Sequence, residues 1–116
     1  MDRKDCIFCR IADRDIPSPL LYDDEFVCAF RDLNPKAPTH ILIIPKKHVA
    51  SIAELEEEDF ELVVRIAKVA KQLAEEEGIA EGGYRLVSNC RADAGQEVPH
   101  LHFHLLGGRS MAWPPG

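Results

Sequence analysis

The run Pro99-His100-Leu101-His102-Phe103-His104-Leu105-Leu106 constrains this chain more than any other stretch of its sequence. Side chains on an extended strand alternate between two faces, so His100, His102 and His104 are expected on one face and Leu101, Phe103 and Leu105 on the other. The apolar face would pack into a core, leaving a row of imidazoles about 7 Å apart. Three of the five histidines in the chain fall in this row. The pattern admits three uses. The rings could be core or surface histidines without chemistry, a three-histidine zinc site with an open position, or imidazole catalysts acting at phosphorus. The third use needs a nucleophile in line and donors for the non-bridging oxygens. A turn that could supply such donors, Asp93-Ala94-Gly95-Gln96-Glu97, immediately precedes the row. Gly95 would let the backbone approach a phosphate closely, and Gln96 offers an amide donor.

The rest of the chain reads as α+β, and 116 residues suffice for one hydrophobic core, hence a single domain over residues 1–116. Residues 16–30 suggest a hairpin around the acidic turn Asp23-Asp24-Glu25. Residues 32–38 form a loop because Pro35 and Pro38 cannot donate to a ladder. The β-branched run His40-Ile41-Leu42-Ile43-Ile44 is an interior strand. Residues 55–77 carry a helical apolar period through Phe60, Val63, Val64, Ala67, Ala70, Leu73 and Ala74, with Gly78 as the stop. The acidic residues at its start suit a solvated helix N-terminus. Residues 84–89 and 98–106 are the remaining strands.

A net charge of −6 gives no electrostatic attraction for a phosphate polymer, which argues against nucleic-acid binding while still allowing a small phosphate ligand held by local donors. No apolar run resembles a signal peptide or approaches a membrane span, so the expected location is cytoplasmic. In that compartment the four cysteines are expected as thiols or metal ligands rather than disulfides. Cys6 and Cys9 have zinc-ligand spacing but make only half of a tetrahedral set. Cys28 and Cys90 carry no partner pattern and read as buried thiols.

The segment from Gly95 to Gly108 resembles the histidine-triad motif, and the chain resembles the Hint branch of that superfamily nearly throughout. Ala37-Pro38-Thr39-His40, Ile44-Pro45-Lys46-Lys47-His48 and the ending Met111-Ala112-Trp113-Pro114-Pro115-Gly116 carry the likeness. The resemblance implies a HIT-like fold, an antiparallel sheet with one long helix, extended across a homodimer. It implies hydrolysis of purine nucleoside phosphoramidates to the nucleoside monophosphate through a nucleotidyl-histidine intermediate, without an organic cofactor. His102 would attack the α-phosphorus and His104 would hydrogen-bond phosphate oxygens, while His40 and His100 would form a relay setting the nucleophile's tautomer. Asn89, Gly95, Gln96 and Glu97 fall at phosphate-contacting positions, and Asp32 and Leu33 fall where ribose and base are held. Glu97 stands where some members have serine. Trp113 would reach toward the partner subunit's site.

Bacterial relatives that keep the cysteine pair bind a structural zinc, and the resemblance completes that set, here Cys6 and Cys9, with His48 and His100. Other triad branches hydrolyse dinucleoside polyphosphates with the same row, and a nucleotide-binding scaffold that acts through partner proteins is the non-enzymatic alternative.

Overall fold

The computed structural model describes residues 2–116, Met1 lying outside the described residues. Its centre is a five-stranded antiparallel sheet of order β1-β2-β3-β5-β4. The strands are β1 (Tyr22–Asp23), β2 (Val27–Arg31), β3 (Thr39–Pro45), β4 (Tyr84–Val87) and β5 (Phe103–Gly107). A short helix, α1 (Ile7–Ala12), and a long one, α2 (Phe60–Glu76), complete the fold.

The β-branched run at 40–44 forms the middle of β3, and every residue of that strand is buried. The cause is alternation between two cores. Ile41 and Ile43 join Val27, Ala29 and Leu105 against Ile66, Val69, Ala70, Leu73 and Ala74 of α2. Leu42 and Ile44 join Cys28 and Phe30 against Cys6, Phe8, Cys9, Ile11 and Ala12 at the N-terminus. A strand covered on both sides loses the polar alternation of a half-exposed one, as its sequence shows.

The expected hairpin is present, with Tyr22 opposite Ala29 and Asp23 opposite Cys28. Asp24 Oδ1 fixes its turn by accepting the N–H groups of Phe26 and Val27 at 2.7 and 2.8 Å. The first arm is only two residues long, because Pro17 and Pro19 ahead of it cannot donate to a ladder.

The helix begins later than its periodicity suggests. Residues 52–54 and 57–59 form separate 3-10 turns, and Asp59 anchors the second one. Its carboxylate accepts the Glu56 N–H at 3.1 Å and pairs with the Lys47 ammonium at 2.6 Å. Glu56, Glu57 and Glu58 are solvated as expected, whereas Asp59 is buried. Gly78, at φ +76°, takes the left-handed position that ends α2. The stripe that meets the sheet is Ile66, Val69, Ala70, Leu73 and Ala74. Phe60, Val64 and Ala67, which share the same period, stay exposed because the helix is apolar over a wider arc than the sheet covers.

The last strand is shorter than expected. Residues 98–102 run outside the ladder, since the Leu101 N–H donates to Val49 O at 2.6 Å and the His100 N–H to Val98 O at 2.8 Å. Likewise β4 stops at Val87, and the Ser88 hydroxyl turns to His102 O at 3.0 Å. Among the described residues no helix is long and apolar enough to cross a membrane.

Ile66 lies fully enclosed between helix and sheet. Truncation by Ile66→Ala should lower unfolding free energy by about 2–5 kcal/mol, read from the urea midpoint at constant slope.

Candidate active site and metal centre

The three histidines of the row do not share one environment. Only His104 lies in β5, while His100 and His102 sit on the irregular segment leading into it. The row faces the N-terminal core rather than open solvent, so His100 is fully buried and His102 nearly so. The His102 and His104 ring centroids are 5.1 Å apart, closer than two regular strand steps would place them.

His102 Nδ1 lies 2.7 Å from the main-chain oxygen of His100. A carbonyl can only accept, so in the neutral ring Nδ1 carries the proton and Nε2 keeps its lone pair. Among the described residues that Nε2 has no partner and no fully enclosed nitrogen lacks one, so it opens to the surface. The ring is thus buried on one side and presents one unprotonated nitrogen outward. Phe8 packs edge-on against it with centroids 5.1 Å apart, and also against His100 at 6.0 Å and Phe30 at 5.6 Å.

His104 is set in the opposite tautomer. The Lys36 N–H donates to His40 Nδ1 at 3.0 Å, so a neutral His40 carries its proton on Nε2. That Nε2 lies 2.9 Å from His104 Nδ1, which must accept, leaving the His104 proton on Nε2. The pair meets because Leu42 lies opposite His104 across the β3–β5 ladder, making His40 a diagonal neighbour on the same face. Burial, with the nearby His102 and His40 rings, pushes the His104 pKa down to about 4, so the ring is neutral at pH 7. Burial also lowers His40, against the opposing pull of Asp32, whose Oδ2 lies 3.5 Å from its Nε2. Asp32, His40 and His104 are close enough to surround a cation. The Lys36 N–H nevertheless commits the inward His40 nitrogen to a proton, which suits a hydrogen-bond chain and not a metal.

The expected ring relay between His40 and His100 does not form. Both ring nitrogens of His100 are engaged elsewhere, and it is the main chain of His100 that meets His102. His100 Nε2 donates to Pro45 O at 2.8 Å. Its Nδ1, left with the lone pair, lies 3.4 Å from both Cys6 Sγ and Cys9 Sγ and 3.2 Å from His48 Nδ1. Cys9 Sγ is 3.2 Å from His48 Nδ1, and all four donor atoms lie within 4.8 Å of one another. Bonds of about 2.0 Å to nitrogen and 2.3 Å to sulfur give tetrahedral edges of roughly 3.3–3.8 Å, so the set fits zinc. A ligating histidine whose other N–H goes to a carbonyl is the usual orienting arrangement, and Pro45 O supplies it. Burial and the Cys6 thiol push Cys9 up to about 12, so a thiolate here needs a cation beside it.

The turn ahead of the row uses its donors internally. Gln96 spends both amide hydrogens, on Ala50 O at 2.7 Å and Val98 O at 3.0 Å. Its Oε1 accepts the Arg91 N–H at 2.7 Å, and its own N–H donates to Arg91 O at 3.1 Å. The Gly95 N–H donates to Ala92 O. The Gln96 side chain is therefore a loop clamp and not a free phosphate donor. What it clamps is Arg91, at φ 68° and ψ −172°, a conformation costing on the order of 1–3 kcal/mol in a non-glycine residue. Among the described residues, the N–H groups of Glu97 and Val98 have no partner within the chain. The Asn89 side chain likewise makes no hydrogen bond within the described chain. Asp32 Oδ1 caps the Asn34 N–H at 2.7 Å, a turn-stabilising role, while Oδ2 faces His40. Leu33 is wholly exposed and Trp113 is 82% exposed. Sequence reading passed over Arg91, Ser88, Phe8 and the backbone groups of Lys36 and Pro45. Only Phe8 had a local signal, through its place between the two cysteines.

The depressed His104 pKa sets a sign for stability. In the unfolded chain this ring takes a proton near 6.5, and in the folded one only near 4. Its contribution is therefore complete above about pH 6.5 and is lost as pH falls toward 4. Urea midpoints measured from pH 7 to 4 should fall, and His104→Asn should make that fall shallower.

Comparison with known proteins agrees with this geometry. The family model described as "HIT domain" matches residues 13–111. The purine nucleoside phosphoramidase of Escherichia coli (strain K12) is 48% identical over 108 residues, 93% of this chain and 91% of that protein. The 14 kDa zinc-binding protein of Zea mays is 49% identical, covering 100% of this chain and 91% of its own length. A HIT family hydrolase from Legionella pneumophila Philadelphia 1 superposes with a TM-score of 0.93 at 54% identity, over 96% of this chain and 99% of that one. With the family model spanning most of its length and relatives this similar over nearly all of it, the chain belongs to the HIT domain family.

Proposed function

We propose that the protein hydrolyses purine nucleoside phosphoramidates to the nucleoside monophosphate and the free amine. The observation that carries the reading is the opposed pair of tautomers. His102 turns an unprotonated Nε2 to the surface, and the adjacent His104 presents an Nε2–H beside it. An attacking lone pair next to a neutral donor suits in-line displacement at phosphorus, where positioned donors hold the non-bridging oxygens. His102 Nε2 bonds to the α-phosphorus as the P–N bond breaks and the amine departs with a proton taken from solvent; water then cleaves the nucleotidyl-histidine, its oxygen going to phosphorus and its proton back to solvent. The purine nucleoside phosphoramidase of Escherichia coli, to which the chain is similar, supports the same reaction class.

In this reading His104 Nε2–H and the free N–H groups of Glu97 and Val98 contact the phosphate, with Asn89 beside them. Gly95 and Gln96 shape that turn. Asp32 accepts ribose hydroxyls, and Leu33 offers an apolar surface to the base. Cys6, Cys9, His48 and His100 hold zinc, whose charge compensates the buried thiolates. The free edge of β4, with Tyr84 and Leu86 exposed, and the uncovered Phe60 and Val64 of α2 support a homodimer in which Trp113 approaches the partner's site.

The test is turnover of an adenosine phosphoramidate with trapping of the adduct. His102→Ala should lower kcat on the order of a thousandfold or more. Mass spectrometry of quenched wild-type enzyme should place a nucleotidyl group on His102. An unchanged kcat in the variant, or preferential turnover of a diadenosine polyphosphate, would overturn the assignment.

A further inference from the structure

His100 belongs to two sites at once. Its ring Nδ1 faces Cys6, Cys9 and His48, its Nε2–H is tied to Pro45 O, and its main-chain oxygen holds the Nδ1–H of His102. These contacts hold both the ring and the main chain of the residue, so a displacement of the ring's anchors is passed through its Cα to the peptide that carries the oxygen. Residues 98–102 have no ladder partner, and besides these contacts their main chain is held by Gln96 Nε2–H and the His100 N–H on Val98 O, the Leu101 N–H on Val49 O and the Ser88 hydroxyl on His102 O. Phe8, between the two cysteines, adds a second link, because its edge meets the rings of both His100 and His102.

We propose that the Cys6–Cys9–His48–His100 cluster sets the nucleophile, with His100 as a positioning residue: a metal held by the cluster fixes the carbonyl that keeps the His102 proton on Nδ1. This extends the proposed function and rests on it for the identity of the nucleophile. The cluster then does more than fasten the N-terminus to the sheet. Occupancy at the cysteines changes how often His102 presents a lone pair outward, and a ligand that orders His102 Nε2 must, by linkage, tighten the metal.

The experiment uses the full chain loaded with zinc, with AMP as the probe of the nucleotide site. Zinc affinity is measured by competition with a chelator, with and without saturating AMP. The structure predicts tighter zinc with AMP by roughly fivefold or more. In parallel, adduct formation from an adenosine phosphoramidate is followed in one turnover before and after stripping. Stripping should slow it about tenfold with little change in KM, and zinc should restore it. Equal zinc affinity with and without AMP overturns the proposal. So does a stripped chain, folded by circular dichroism, that forms adduct at the loaded rate. Should the stripped chain unfold, the AMP effect on zinc affinity decides alone. A loaded enzyme that never turns over the phosphoramidate contradicts the proposed function instead, a result separable from loss of the AMP effect.

Discussion

The hydrogen bond from His102 Nδ1 to the main-chain oxygen of His100 is the contact on which the rest of the site depends. An isolated imidazole exchanges its proton between two nitrogens and is an acceptor at either. A carbonyl removes that freedom because it has no proton to give. The lone pair is thereby committed to the one nitrogen that faces outward, with no need for a carboxylate partner. His104 is governed by the same logic in reverse, since its chain begins at a main-chain donor, the Lys36 N–H, and ends at a proton on Nε2. Two chemically identical side chains five ångströms apart acquire opposite tautomers, one from a carbonyl directly and the other from a main-chain N–H acting through His40.

That arrangement requires His102 to be buried except at its Nε2. The two-faced sheet provides this. One face is sealed by α2, and the other is covered only in part by α1 and the segment around it, so the histidines lie at the margin of a core. Burial keeps His104 neutral, and a neutral ring is what lets its Nδ1 accept from His40. The same burial would make the Cys9 thiolate costly, which explains why thiols and imidazoles converge beneath His102 rather than standing singly.

Much of this was legible in the residues. The β-branched run at 40–44 announced an interior strand, and the alternating histidines pointed to the region where the rings of His100, His102 and His104 gather with His40 and His48. Periodicity misjudged how the row sits, because a strand pattern does not say whether the ladder continues. Here it stops before His102, where Val49 and Ser88 take the hydrogen bonds. The helix stripe shared Ala70, Leu73 and Ala74 with the buried one but ran wider, as Phe60 and Val64 are apolar without being covered. Gln96 shows the limit most clearly. An amide donor near a phosphate turn can point to ligand or to backbone, and only its contacts with Ala50, Val98 and Arg91 decide the matter. The cysteine pair revealed half a metal site. Its other half came from family likeness, and the four donors do converge.

The most direct measurement is long-range nitrogen–proton correlation NMR on histidine-labelled protein at pH 7, which reports the protonated nitrogen of each ring. His102 should carry its proton on Nδ1 and His104 on Nε2. A His102 proton on Nε2, or the same tautomer in both rings, would contradict the opposed pair from which the chemistry was derived.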